Sequence, residues 1–398
     1  MYDSAAAGLI AGEIRALILV TIAVVPVFIW IYLLGFRGGF WQISKHFAPA
    51  RLRTPATKRV AVVIPARNEA DVIGQALTSL LKQDLPAPLH IFLVDDASTD
   101  RTAEVAAAAA KQAGRTSSLT VITGRPLAEG WTGKLWALSQ GAAQAETLAP
   151  DYLLLTDADI IHGRNTVSAL VAIAEANRCD LTSYMVRLAC LTFAERALIP
   201  AFVFFFLKLY PPAWIASKNC TTAAAAGGCI LIRAKALERI GGFAAIRSEI
   251  IDDCALAREV KRTGGRIWMG LTSTSESIRS YGAFPEIGRM ISRTAFNQLR
   301  HSYLLLAGTV LGLFITYLLP PLLVFTGKLP AVLLGLAGWF LMSAAYSPAV
   351  RFYKQPVVLS LCLPFVACFY MGATIHSASR YWRGLGGAWK GRFQDARS

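Results

Sequence analysis

Residues 151–163 read DYLLLTDADIIHG. Three leucines after Tyr152 make a short, continuously apolar run, as expected of a strand buried on both faces of a parallel sheet. The run closes on Thr156, and two carboxylates follow at Asp157 and Asp159. Side chains at the point where a strand gives way to a loop stand where open α/β sheets take their ligands. Two aspartates one residue apart can share a divalent cation, and their hard oxygens suit Mg²⁺ or Mn²⁺. Such a cation stabilises a departing diphosphate. Asp-x-Asp alone also reads as an acidic turn before the next helix, so the rest of the chain has to decide.

Outward from this stretch, strands and helices alternate. Arg59–Pro65 (RVAVVIP) is a β-branched run ended by proline, and Ala66–Glu69 is a polar turn. Helical periodicity then runs over Asp71–Lys82 through Val72, Ile73, Ala76, Leu77 and Leu80. Leu89–Val94 is a second strand that also ends in acids, Asp95 and Asp96. The pattern predicts a helix over Thr102–Lys111, a strand over Leu119–Thr123, and helices over Lys134–Ala145 and Thr166–Ala176. Such alternation implies right-handed crossovers and an α/β fold with a mostly parallel, doubly wound sheet. Two strands that both deliver acids at their carboxyl ends are what a cation-assisted nucleotide site needs.

The chain has 398 residues, 55% hydrophobic and only 16% charged. With a mean hydropathy of +0.46 it is too apolar for a purely soluble enzyme. Ala16–Phe36 carries no charge and is long enough to cross a bilayer. Asp3 and Glu13 precede it in place of a basic leader, and no small-residue cleavage site follows, so it reads as a retained anchor. Ser302–Gly327, Leu329–Val350 and Gln355–Ser379 are three more uncharged stretches, with Pro320-Pro321 and Pro364 expected to bend or break helices there. Ala197–Ser217 is apolar except for Lys208 and is interrupted by Pro211-Pro212. It reads either as a helix lying in the membrane interface or as a buried helix with a snorkelling lysine.

The expected organisation is a membrane anchor and basic segment at 1–57, a catalytic domain at 58–300 with the interfacial helix near 197–217, and membrane helices with a basic tail at 301–398. Arg37, Lys45, Arg51, Arg53, Lys58 and Arg59 follow the first anchor with no acid among them, which places the domain in the cytoplasm. Arg351 and Lys354 fit a cytoplasmic loop as well. The tail carries Arg380, Arg383, Lys390 and Arg392, although three full crossings would export it. The formal charge of +15 suggests anionic partners, and its concentration beside the apolar stretches favours membrane lipids. No nucleic-acid module is present. The seven cysteines form no CxxC pair and read as reduced thiols.

The motifs VVIPARNEA (62–70), VDDASTDRT (94–102), GWTGKLWALSQG (130–141), LLLTDADI (153–160), GGC (227–229) and IDDCALA (251–257) resemble, in this order, a family 2 glycosyltransferase of the GT-A fold. FVFFFLKLYPP (202–212) and TAAAAGGC (222–229) are most similar to the bacterial hopene-associated subgroup. The resemblance implies that Pro65, Arg67, Asn68 and Glu69 meet the base and ribose of a nucleotide-sugar. It implies that Asp96 reads the uracil edge beside Asp95, and that Lys134 lies near the nucleotide-sugar. Asp157 and Asp159 match the metal motif, Asp159 as direct ligand and Asp157 nearer the ribose and sugar. In Asp252-Asp253 the second acid matches the general base. One of the two could instead serve as N-cap of the helix expected over Cys254–Val260. Pro65 and Asn68 also read as strand-stop and turn residues, and Lys134 as a solvated first-turn lysine.

One departure stands out. Many membrane-bound members carry a Gln/Arg-x-x-Arg-Trp motif, whereas residues 289–302 read RMISRTAFNQLRHS, with no tryptophan. This counts against a processive polysaccharide synthase. The resemblance implies an inverting transferase in the bacterial cytoplasmic membrane, moving a sugar from a UDP-linked donor to a lipid acceptor in hopanoid metabolism. A polyprenyl-phosphate sugar transferase is the nearest rival. A non-catalytic membrane lipid-binding or scaffold protein is a reading from another class, and the presence of every acid argues against it.

Overall fold

The computed structural model describes residues 2–47, 58–87 and 89–384. Arg51 and Arg53 of the basic segment, and Lys390 and Arg392 of the tail, lie outside the described residues. The chain divides into two compact units. One comprises Met1–Ile43, Thr192–Leu209 and Gly282–Ser379, and the other is built chiefly from Ser44–Leu191 and Tyr210–Tyr281. Residues 192–209 and 282–300, which the sequence reading kept with the catalytic domain, thus group with the apolar helices.

The α/β unit holds one sheet. Its strands are β1 Val60–Ala66, β2 His90–Asp95, β3 Leu119–Thr123, β4 Tyr152–Thr156, β5 Ile160–Ile161, β6 Leu181–Arg187, β7 Cys229–Arg233 and β8 Ile267–Ser277. They lie in the order β3-β2-β1-β4-β7-β6-β8-β5. From β3 to β4 all pairings are parallel, and every residue of β1 and β4 is buried. The β-branched and leucine runs therefore have apolar neighbours on both faces. Helix Gly133–Ala145 packs so tightly on this half that a Cβ on Gly141 would come within 2.4 Å of Val63 Cγ1, which leaves room only for glycine.

One expectation needs correction. Pro65 does not end β1: it stays opposite Val94, and Ala66 lies opposite Asp95. The missing N–H costs the ladder one donor without breaking the strand. The sheet is mostly parallel, as expected, with β7 antiparallel to both β4 and β6, and β5 antiparallel to β8. The chain enters β7 at Cys229, opposite Thr156, so it starts at the carboxyl end of β4 and runs back along it. This direction brings Gly227-Gly228 beside the Asp157 turn.

The second unit is helical. Among the described residues, five segments are long and apolar enough to cross a membrane: Glu13–Phe36, Phe193–Ala216, Tyr303–Val324, Leu329–Phe352 and Val357–Trp382. Leu304, Phe325, Phe340 and Phe365 are each more than 70% exposed, a density of bare apolar side chains that suits a lipid surroundings better than water. The segment 193–216 is interrupted as its prolines predict, with helix Phe193–Leu209 in this unit and the short helix Pro212–Ala216 in the α/β unit. Lys208 Nζ donates to the Tyr317 hydroxyl at 2.7 Å and lies over the rings of Phe205 and Tyr317. Pro320-Pro321 is preceded by a π-helical turn, Phe314–Leu318. Pro320 has no N–H for the carbonyl four residues back, and Trp30 Nε1 donates to that carbonyl, Thr316 O, at 2.9 Å.

Candidate active site

The carboxyl ends of β1, β2 and β4 converge with the start of β7 and the end of β8. After β1, Asn68 takes a left-handed φ of 52°, a conformation asparagine tolerates. Its Oδ1 accepts from Thr99 N at 2.8 Å, and Ser98 Oγ accepts from Asn68 N at 2.9 Å. The turns after β1 and β2 are thus interlocked. Asp95 Oδ1 accepts from Ser98 N at 3.0 Å and closes the second turn on itself. Asp96 is buried, with Arg67 beside it: Arg67 Nη1 donates to Asp96 O at 2.5 Å and lies 3.6 Å from its Oδ2. Pro65 lines the cavity at the strand ends together with Lys134, Thr156, Asp157, Gly227, Asp252 and Asp253.

Lys134 is the hub of that cavity. It enters in the first turn of helix Gly133–Ala145, and its Nζ lies 2.9 Å from Asp157 Oδ1 and 3.2 Å from Asp252 Oδ2. Burial alone would lower the ammonium's pKa, but Asp157, Asp252 and Asp253 together hold it above the usual lysine range. The solvated-lysine reading is therefore set aside, since the side chain is only 19% exposed and doubly paired. Desolvation pushes the Asp157 carboxyl above the usual carboxylate range against the pull of Lys134, and the charge of Asp159 adds to the rise.

Asp252 and Asp253 do not cap a helix. The helix is Asp252–Arg262, its N-cap is Ile251, and both acids occupy the first turn, where the positive end of the helix favours them. Asp253 Oδ1 accepts from Cys254 N at 2.7 Å and Oδ2 from Gly227 N at 2.8 Å. A Cβ at Gly227 would stand 3.2 Å from that Oδ2 and 3.4 Å from Lys134 Nζ, so the glycine is what permits the close approach. Burial, with the charge of Asp252 next, raises the Asp253 carboxyl to about 6, against Lys134 and the two backbone N–H groups. Gly228 is tied to β4 as well, because Thr156 Oγ1 donates to Gly228 O at 2.8 Å. A hydroxyl has one proton to give, so the 2.9 Å contact from His162 must come from an Nε2–H donating to Thr156. Burial lowers the His162 pKa to about 4, which keeps the ring neutral.

Asp159 faces a different set of partners. β5 pairs Ile160 with Ser277, which carries the end of β8 to it. Ser277 Oγ donates to Asp159 Oδ2 at 2.7 Å, and Arg279 Nε lies 3.4 Å from the same oxygen. Arg279 Nη2 also donates to Glu69 Oε2. Ser277 and Arg279 were not singled out by sequence reading. They lie in an exposed-looking polar stretch with no motif, and only the pairing of β5 with β8 places them here.

Among the described residues, no group of three or more His, Cys, Asp and Glu side chains is placed to hold a metal by itself. Asp157 and Asp159 offer two hard carboxylates, close enough that the charge of Asp159 helps to raise the Asp157 carboxyl. That donor set fits a divalent cation whose other ligands come from a diphosphate and water.

Residues 61–241 match the family profile described as Glycosyl transferase family 2. The match covers less than half of the chain. Over 117 residues, 29% of its length, it is 36% identical to the 4,4'-diaponeurosporenoate glycosyltransferase of Staphylococcus aureus strain bovine RF122 / ET3-1, a match that spans 28% of that protein. The enzyme of the same name from strain MRSA252 is 35% identical over 129 residues, 32% of this chain and 31% of the relative. These matches thus span less than a third of the relatives' length. Among solved structures, the mannosyltransferase PcManGT from Pyrobaculum calidifontis, in complex with GDP-Man and Mn2+, superposes with a TM-score of 0.52. The superposition covers 91% of this chain and 97% of that one at 20% identity, a likeness of fold. The α/β unit is thus a mixed sheet of the GT-A type, in a chain that also carries apolar helices.

Proposed function

We propose that this protein is a membrane-bound inverting glycosyltransferase of family 2 that moves a sugar from a nucleotide-sugar to a lipid acceptor. The observation that carries the reading is Asp253. It is a carboxylate raised to about 6, fixed by two backbone N–H groups and set against the Lys134–Asp157 pair at the strand ends. In single displacement, Asp253 takes the proton of the acceptor hydroxyl as its oxygen attacks the anomeric carbon, and an α-linked donor gives a β-linked product. Pro65, Arg67, Asn68, Glu69, Asp95 and Asp96 form the base and ribose side, with Lys134 and Asp157 toward the sugar. Asp157 and Asp159 hold a divalent cation, Mg²⁺ or Mn²⁺, which when bound neutralises the departing diphosphate.

The lipid acceptor is supported by the five apolar segments and by the relatives named for a diaponeurosporenoate. Within lipids, the resemblance of 202–212 and 222–229 points to a hopanoid. The relatives' name also favours one variant of the reading, in which the acceptor is an acid that arrives already ionised. Purified protein incubated with a panel of nucleotide-sugars and total membrane lipid, with Mn²⁺ or with EDTA, tests the whole reading. Mass spectrometry is expected to find one glycosylated lipid that disappears with EDTA. No new lipid with any donor would remove the transferase reading, and equal product in EDTA would remove the cation.

We place the α/β unit on the cytoplasmic side of a bacterial inner membrane, because Arg37, Lys45, Lys58 and Arg59 are basic with no acid among them. The loop at Arg351–Gln355 then faces the cytoplasm too. A single cysteine at Gln355, in a cysteine-free background, is expected to resist an impermeant thiol reagent in intact cells. Labelling from outside would invert the topology.

A further inference from the structure

Around the strand ends, Glu69, Asp157, Asp159 and Asp252 are ion-paired with Lys134 and Arg279. A nucleotide diphosphate entering this cleft adds negative charge beside these acids. It must bring a cation or take one of these two from its present partners. Lys134 is held by Asp157 and Asp252 at 2.9 and 3.2 Å and is attached to a helix packed against β1. Arg279 differs. It follows the end of β8, spans acids from two other segments, and holds Glu69 by a direct hydrogen bond but Asp159 only at 3.4 Å.

Asp159 Oδ2 already receives the Ser277 hydroxyl and faces the guanidinium. A divalent cation bound through Asp159 therefore meets a positive charge in its way, and the two compete for one carboxylate. A guanidinium released from Asp159 stays tethered through Glu69 and has free N–H donors in a planar fork, the geometry that suits a phosphate. We propose that Arg279 is an exchangeable counter-ion. It neutralises Asp159 when the cleft is empty, and it turns onto the donor's diphosphate when a divalent cation takes Asp159. The inference rests on the nucleotide-sugar reading above and adds to it a diphosphate-contacting residue from outside every recognised motif.

Two measurements on the full-length protein test it. Mn²⁺ is titrated without nucleotide and followed by the electron paramagnetic resonance signal of free Mn²⁺. Arg279→Gln is expected to bind Mn²⁺ several-fold more tightly than wild type, because the competing charge is gone. UDP binding is then measured by calorimetry in Mn²⁺ and in EDTA, and Arg279→Gln is expected to be about 10-fold weaker in Mn²⁺, as befits a lost charge-assisted hydrogen bond, and little changed in EDTA, where Arg279 stays on Asp159. Arg279→Met, which also removes the charge and the fork, carries the same test if the glutamine variant does not fold. Unchanged or weaker Mn²⁺ affinity overturns the exchange, and unchanged UDP affinity in Mn²⁺ overturns the diphosphate contact. A wild type that binds UDP in neither condition overturns the donor reading itself, whereas a variant unchanged in Mn²⁺ beside a binding wild type overturns only the role of Arg279.

Discussion

Asp253→Asn is expected to lower kcat by on the order of 10²–10⁴, the usual worth of a positioned general base, while donor affinity stays close to wild type. The substitution keeps an oxygen for Gly227 N or Cys254 N and preserves the shape, so the fold and the loop at 227 are retained. It removes one backbone N–H acceptor and one negative charge near Lys134, and with them the ability to take a proton. That loss falls on kcat because the interaction is made in the transition state and not in the donor complex. The pH dependence follows from the same group. The carboxyl titrates near 6 and works as the carboxylate, so kcat should rise with pH through about 6 and level off above it. The charged groups facing it, Asp252 and Lys134, set that position in opposite senses. In the asparagine variant this limb should vanish. Product formation with lipid present, against donor binding measured by calorimetry, checks both points. Turnover near wild type would show that the acceptor needs no base, as for an acid or a polyprenyl phosphate that is already ionised.

Lys134→Met is expected to act on binding and on chemistry together. Among the described residues, Lys134 is the cation paired with Asp157 and Asp252, and its charge also holds the Asp253 pKa down. With it gone, donor affinity should fall about 10- to 100-fold, the worth of a hydrogen bond to a charged group at roughly 1.5–3 kcal/mol. The Asp253 carboxyl should titrate higher, so the acid limb of kcat moves to higher pH by about a unit for each 1.4 kcal/mol of lost interaction. At neutral pH less of the base is then ionised, and the two effects multiply in kcat/KM. Lys134→Arg, which keeps the charge, should restore the position of the limb but only part of the affinity. A methionine variant with wild-type affinity and an unmoved limb would reduce Lys134 to a clamp between acids.

Much of the α/β unit was legible because its information is local. The apolar runs at 60–66, 90–95 and 152–156 are buried on both faces, and a strand in that position needs no partner to be recognised. Helix Thr166–Ala176 matches its periodicity residue for residue. The acids were legible too, since Asp95, Asp96, Asp157 and Asp159 follow directly from where those strands stop. Asp252 and Asp253 were visible as a pair, but their place in the first turn and not at the cap depends on which residue adopts the first helical dihedrals, a matter of one position.

The direction of β7, the Gly227 N–H on Asp253 and the arrival of Ser277 and Arg279 at Asp159 were decided only by tertiary structure. Each joins segments far apart in the chain: 26 residues separate Gly227 from Asp253, 118 separate Asp159 from Ser277, and 210 separate Glu69 from Arg279. Hydrophobic periodicity reports which face of an element is buried, whereas register and strand direction are set by the elements packed beside it. The sequence by itself therefore determined which carboxylates stand at the strand ends. The packing of β7 against β4 and of β5 against β8 decided which of them is fixed by backbone N–H groups and which is paired with an arginine.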